Sequence, residues 1–337
     1  MKKILATALA LCLLVSLLAT MNVSAAAAGP YDDLAPVTFS CVTIFDATSS
    51  MTKALNFMAD RLAEETDGKL KMEIYDSGQT GGENEQTEAL AIGEVEMAAN
   101  GTLAVVNYAP EYGFFDAPFV FADGEHFMAV WNSDLGQGLR DKMAENGFHN
   151  LGIMERGYRH ITTNKPIYSI DDMNGLVLRT PQSASFVNTF GSLGCVCVPI
   201  ALTELFTALQ TGVAEASEGP WDQIVTNKLY EVQDYIVEST YYYCTSMWFM
   251  NQDFYDSLPE AYRTLIDEVA AEALDYGTEL IRSSGEELKQ VCIDYGCEIL
   301  ELGDLTPYLE KVKPAMDEFF ATTWTVTTAD EIASFRK

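Results

Sequence analysis

Apolar and polar positions along this chain follow two periods, and the switches between them mark its elements. Residues 37–44 are β-branched and aromatic-rich and predict a strand ending in a polar turn at 46–50. Beyond it, Met51, Ala54, Leu55, Met58 and Leu62 fall at helical spacing on one face, with Ser and Thr before them to cap the helix and Gly68 to stop it. Residues 70–75 alternate with period two, 78–82 turn, about 83–92 are helical, and 95–99 are a short buried strand. The order is β-α-β-α-β. The pattern returns with strands near 151–155, 161–163 and 176–179, a helix from about 183, a strand at 196–199, a helix at 203–210 and a strand at 213–216. Two such blocks predict two α/β domains, and ligands of such architectures bind at the carboxyl ends of strands and between domains. Residues 259–295 favour helix throughout; at 1.5 Å per residue one helix would reach about 50 Å, enough to bridge both domains. Two helices broken near Ser283-Ser284-Gly285 are the other reading.

The amino terminus has a different character. Met1-Lys2-Lys3 precedes an apolar run over 4–18 and then small residues, with Val23-Ser24-Ala25 as a cleavage site, the layout of a secretory signal peptide over residues 1–25. The run is shorter than the roughly 20 residues a permanent membrane helix needs, and no comparable run follows, so an exported, periplasmic or otherwise extracytoplasmic protein is expected. Cys12 follows bulky Leu11 inside the run and is not read as a lipid acceptor.

Charge narrows the partners. A formal net charge of −30 repels nucleic acid and acidic lipid, while 48% apolar and 21% charged residues describe a packed globular chain, expected as a monomer. Export permits disulfides: Cys292 and Cys297 are close enough to bridge, whereas Cys195 and Cys197 face one side of a strand in poor geometry. No C-x-x-C pair starts a zinc site. His126, His149 and His160 stand in no nucleophile or metal motif, and no G-x-G-x-x-G or P-loop is present, so neither catalysis nor a cofactor is expected; an exported enzyme is the remote alternative.

Several segments, in order along nearly the whole chain, resemble the solute-binding proteins of tripartite ATP-independent periplasmic (TRAP) transporters, which take up C4-dicarboxylates, sialic acid, uronates and related organic acids. They are Gly78-Gln79 with Gly81-Gly82-Glu83, Phe114-Phe115-Asp116-Ala117-Pro118-Phe119, Arg159 with Pro166 and Asp172, Asn174-Gly175-Leu176-Val177-Leu178-Arg179-Thr180-Pro181, Pro199-Ile200, the stretch from Glu204 through Gly212-Val213, and Leu258-Pro259. The resemblance implies an α/β, two-lobed, type II periplasmic-binding-protein-like fold with crossing strands and a long helix spanning both lobes. It sets lobe one at 30–157 with 245–284 and lobe two at 158–244 with 285–337. It also implies a TRAP membrane subunit as partner; a receptor feeding a sensor or an ATP-driven importer is the alternative.

The resemblance points to Arg179 as the residue that forms a salt bridge to the ligand carboxylate, and the chemistry suits it. A guanidinium presents parallel N–H donors that fit a carboxylate fork, and it stays charged at physiological pH. Arg179 follows apolar Leu176-Val177-Leu178 and precedes Pro181, at a strand's carboxyl end. Arg159 lies at the spacing of a second basic contact, with Arg156 as a neighbour able to exchange roles. Where the family carries an asparagine that hydrogen-bonds the ligand, this chain has Glu218-Gly219-Pro220, so a water, the Gly219 backbone or another residue must replace that amide. A histidine frequent in the family is replaced within Tyr241-Tyr242-Tyr243. Phe186, Trp221, Tyr241, Tyr242, Tyr243 and Trp248 are candidate aromatic contacts, and Thr48 or Ser49, Glu83 and Asn100 are candidate contributions from turns of lobe one.

Overall fold

The computed structural model describes residues 29–336, so the leader expected at 1–25 lies outside the described residues. The chain divides into a unit ending at Ala35 and a body from Pro36 onward. Within the first, residues 29–35 form a turn in which Asp32 N–H donates to Gly29 O at 3.1 Å.

The body opens with strand β1 (Val37–Val42) and helix α1 (Ser50–Glu65). Ser49 caps α1 by accepting from Thr52 N–H, and Met51, Ala54, Leu55, Met58 and Leu62 are buried along one face, as their spacing predicts. Strand β2 (Leu70–Tyr75), helix α2 (Glu83–Ala91) and strand β3 (Met97–Asn100) complete a parallel β2-β1-β3 unit. Three helices follow, α3 (Leu103–Tyr108), α4 (Gly124–Trp131) and α5 (Asp134–Glu145), none of them expected from the pattern of apolar positions.

The two strands expected near 151–155 and 161–163 are one element, β4 (Phe148–Thr163), bent by irregularities between Asn150 and Gly152 and between Glu155 and Gly157. Glycines at φ +130° (Gly152) and +77° (Gly157) supply backbone conformations that side-chain-bearing residues rarely adopt. The second α/β block then runs through β5 (Val177–Thr180), α6 (Ala184–Ser192), β6 (Val196–Pro199), α7 (Leu205–Gln210), β7 (Ala216–Pro220), α8 (Trp221–Thr226) and β8 (Tyr235–Glu238). Strand β7 replaces the strand expected at 213–216. The chain returns through β9 (Tyr243–Asn251), all nine residues buried, to α9 (Gln252–Ser257), α10 (Glu260–Tyr295), β10 (Glu298–Glu301), α11 (Thr306–Thr322) and α12 (Ala329–Ser334).

The strands lie in the order β2-β1-β3-β9-β4-β7-β5-β6, with β8 also on β4 and β10 on β8. β4 joins the halves: residues from Phe148 to Tyr158 pair antiparallel with β9, and residues from Arg159 to Thr163 pair with β7. The fold is two-lobed, and β4 and β9 cross between the lobes. The expected long helix is one unbroken element of 36 residues. Its first half packs so closely on α1 and β4 that a Cβ at Gly277 would stand 2.5 Å from Met154 Sδ and 2.9 Å from Ala54. Its far end buries Cys292 with Leu205, Ile224 and Ile236 of the second lobe. Cys292 and Cys297 are free thiols, and Cys297 Sγ lies 3.3 Å from Gln233 O. No helix among the described residues is long and apolar enough to cross a membrane.

Candidate functional site

Where β4 passes from β9 to β7, residues of both α/β blocks enclose a cavity of about 60 Å³. Its wall holds three arginines, Arg156, Arg159 and Arg179, and two acids, Glu83 and Asp116, with Phe45, Phe186, Gln223 and Tyr242 among the remaining surface. The three guanidiniums belong to residues only 5%, 7% and 3% exposed.

The neighbours of each arginine set what it does. Arg159, on β4, donates from Nε and Nη2 to both carboxylate oxygens of Glu218, with Nη2 2.6 Å from Oε1 and 3.0 Å from the Glu218 carbonyl. Glu218 has no exposed surface and also accepts from Tyr241 Oη at 2.6 Å. Burial alone would weaken Arg159's hold on its proton, but the Glu218 charge and hydrogen bonds raise its pKa well above the usual arginine value. The pair is thus a closed bidentate unit with its charge matched. Arg179 differs. Its strand β5 is sandwiched between β6 and β7, and its Nε donates to Ile200 O at 2.8 Å, which orients the guanidinium. No carboxylate among the described residues pairs with it. Burial lowers its pKa to about 10, with Glu218 and Glu83 opposing the fall and Arg159 adding to it, so Arg179 is charged at neutral pH.

The acids are displaced the other way. Burial raises the Glu83 carboxyl to about 7, opposed by the Leu103 N–H it accepts at 3.2 Å and by Arg156 and Arg159, and reinforced by Asp116. Glu83 is partly buried as a residue, and protein surrounds its carboxyl at the cavity wall. Burial raises Asp116 to about 6 against hydrogen bonds from Thr102 and Ser183 and the field of Arg159, with Glu218 adding to the rise.

Hydrogen bonds join residues of the first and second α/β blocks beside the cavity. Ser183 Oγ donates to Asp116 Oδ2 at 2.7 Å and Ser185 Oγ to the Asp116 carbonyl at 2.8 Å. Asp222 Oδ1 accepts from Ser50 N–H at 3.0 Å and Ser50 Oγ at 2.9 Å, at the positive end of α1. Asn84 Nδ2 donates to Gln182 Oε1 at 3.1 Å.

Of the residues singled out from sequence, Arg179, Arg159, its neighbour Arg156, Glu83, Phe186 and Tyr242 line this cavity, and the others do not. Trp221 packs against His160 at a tilt of 46°, ring centres 4.9 Å apart, in a separate hollow under α10. Asn100 is turned inward, accepting from Ile44 N–H at 2.9 Å and donating to Gln86 at 2.9 Å, so its amide is spent on the framework. Thr48 N–H and Oγ1 bond the Asp46 carboxylate in an exposed turn. Trp248 is core, with Nε1 3.1 Å from Met51 Sδ. Gly219 lies on β7 outside the lining, and a Cβ there would stand 2.5 Å from Gln223 Nε2. The Gln223 carboxamide therefore fills the space beside Gly219 and itself lines the cavity. Sequence reasoning missed Gln223 and Asp116 as wall residues, and named Arg156 only as a stand-in for Arg159; Asp116 stands inside a segment already singled out, and Gln223 lies four residues beyond Gly219.

Comparison with known proteins agrees with this layout. Residues 41–323 match the family described as bacterial extracellular solute-binding protein, family 7. A solute-binding protein of Verminephrobacter eiseniae is 30% identical over 209 residues, 62% of each chain. The C4-dicarboxylate-binding periplasmic protein DctP of Rhodobacter capsulatus is 30% identical over 242 residues, 70% of this chain and 72% of that one. The structure also superposes on a TRAP periplasmic solute-binding protein of Polaromonas sp. JS666 bound to D-erythronate, with a TM-score of 0.83 and 25% identity over 89% of this chain and 98% of that one. The chain belongs to the bacterial extracellular solute-binding protein family 7, the DctP family.

Proposed function

We propose that this protein captures a small organic acid in the cavity between its lobes and delivers it to the membrane subunits of a TRAP transporter, working as an exported monomer that performs no chemistry on its cargo. The observation that carries the reading is Arg179: a guanidinium 3% exposed, oriented by Ile200 O, without a carboxylate partner among the described residues, beside an arginine whose charge is already matched. A buried unpaired charge is costly, and a ligand carboxylate arriving in bidentate geometry removes that cost. The family supports an organic acid as cargo, since DctP of Rhodobacter capsulatus is named for C4-dicarboxylates and the Polaromonas protein holds D-erythronate.

In this reading the ligand first meets Arg179 on the second lobe. The lobes then close on it through the Asp222–Ser50 and Asp116–Ser183 contacts, and closure is the state that the membrane partner recognises. Lobes of 30–157 with 245–284 and 158–244 with 285–337 place Arg156 at the edge of the first lobe and Arg159 and Arg179 in the second. Gln223 takes the part of the amide that position 219 lacks. A thermal-shift screen of the leader-free protein against C4-dicarboxylates, 2-oxo acids, aldonates, uronates, sialic acid, neutral sugars and amines tests the class. A ligand at a hundred times its Kd adds about 2.7 kcal/mol of stability. Stabilisation by acids alone is expected; stabilisation by neutral sugars or amines alone would remove the acid-binding reading.

A further inference from the structure

Helix α6 separates two hollows. It turns Phe186 to the acid cavity, and Val187 and Gly191 to a second hollow of about 770 Å³, bounded on its other side by Phe319 and Thr322 of α11. Cys195 and Cys197, at the start of β6, both line this second hollow. Strand alternation sets the arrangement: the two cysteines are two residues apart and share a face, while Val196 between them is 54% exposed on the other.

Both are free thiols, and their spacing decides what they can do together. Two residues of a strand advance about 6.6 Å, at the upper end of the Cα separations that disulfides span, and the two side chains leave the strand in parallel. A disulfide needs its sulfurs about 2.0 Å apart, whereas an ion with metal–sulfur bonds of about 2.3 Å bridges sulfurs about 4.6 Å apart. The pair is therefore poorly placed to close on itself, even in the oxidising surroundings expected of an exported protein, and well placed to hold an ion between its sulfurs. The other close pair, Cys292 and Cys297, is enclosed in an apolar cluster with Leu205, Ile224 and Ile236.

The number of ligands selects the ion. The thiols share their hollow with one acid, the exposed Glu318, and no group of three or more His, Cys, Asp or Glu side chains able to hold a metal is assembled among the described residues. Zinc takes four ligands in structural sites and three in catalytic ones, so two thiolates leave it under-coordinated. Cu(I) is soft, prefers thiolate and is satisfied by two of them in line. Cys197 Sγ makes only a long contact of 3.5 Å to Val187 O, a weak bond that a thiol gives up at little cost.

We infer that Cys195 and Cys197 form a two-coordinate site for Cu(I), separate from the acid cavity and independent of the acid-binding reading. Each thiol releases its proton to water and each sulfur forms one bond to the ion. The ion enters and stays as Cu(I), so nothing is oxidised or reduced.

The test supplies Cu(I) to the leader-free protein without oxygen, in competition with graded amounts of the chelator bathocuproine disulfonate. One ion per chain is expected. Cys195→Ser and Cys197→Ser should each weaken its binding by more than about a hundredfold, the most that loss of an outer-shell partner costs a metal site. Cys297→Ser, in the enclosed pair, should leave binding unchanged. In the unaltered protein, Cu(I) should shield Cys195 and Cys197 together from iodoacetamide, read by peptide mass spectrometry, which decides the matter even if a serine variant melts early. X-ray absorption should show two sulfurs on the ion. No ion retained against the chelator, retention in the serine variants equal to that of the unaltered protein, shielding of Cys292 and Cys297 instead, or displacement of Cu(I) by equimolar Zn(II) would overturn the inference and leave acid binding at Arg179 untouched.

Discussion

Glu83 gives the site a pH dependence whose size follows from its surroundings. Its carboxyl is raised to about 7, chiefly by burial, so the folded protein favours the neutral form below that pH. The groups acting on it are Asp116, Arg156, Arg159 and the Leu103 N–H. A ligand anion in the same cavity repels ionised Glu83 but accepts a hydrogen bond from the protonated acid. Ordinary carboxylic ligands stay ionised throughout the window that matters. With a midpoint of about 7, Glu83 is neutral in about nine-tenths of molecules at pH 6 and about one-tenth at pH 8. If the neutral form is the one that binds, affinity falls about tenfold across those two units, about 1.4 kcal/mol. His160, lowered to about 4 mainly by burial, does not titrate there. Titration calorimetry at pH 6, 7 and 8, in buffers of different ionisation enthalpy, should show weakening affinity and an uptake of about half a proton at pH 7. Glu83→Gln, neutral at every pH, should remove most of the dependence, leaving the part contributed near pH 6 by Asp116, whose carboxyl burial raises to about 6. Affinity that rises with pH, or a slope unchanged in Glu83→Gln, would refute the reasoning.

Three other outcomes are expected. Glu218→Gln removes the partner of a fully buried arginine and an acceptor of Tyr241, so denaturant unfolding should show a loss of about 3–5 kcal/mol. Asp222→Asn weakens the contact with the start of α1 and should lower ligand affinity about tenfold, chiefly through faster dissociation measured by stopped flow, with little change in melting temperature. The formal charge of −30 opposes the approach of an anion, so the association rate should rise modestly with ionic strength; a clear fall would reveal a positive funnel at the cavity mouth.

How much was legible in the sequence depended on whether a signal was local. The first β-α-β-α-β block and α10 carry their periods in consecutive residues, and both formed close to where those periods end. Arg179 was singled out by the family resemblance, and the apolar strand before it with Pro181 after it puts it at a strand's end, where the structure has it. Strand β4 was split because Gly152, Arg156 and Gly157 interrupt its alternation at the irregularities that bend it between lobes. Strand β9 has nine buried residues in succession, so it has no alternation to find. Electrostatics was the least legible part: Arg159 finds Glu218 across 59 residues, and only the pairing of β4 with β7 brings them together. Asn100, attractive as a polar residue closing a strand, turned out to tie two turns of the first lobe together.

The central claim, a ligand carboxylate on an otherwise unpaired Arg179, is tested most directly by titrating the best acid from the screen into the unaltered protein and into Arg179→Met and Arg179→Lys. A buried carboxylate deprived of its partner costs about 3–5 kcal/mol, so Arg179→Met should bind more than a hundredfold more weakly. Arg179→Lys, which keeps the charge but loses the fork, should fall between the two. Near-normal affinity in Arg179→Met, in a variant that melts like the unaltered protein, would contradict the account.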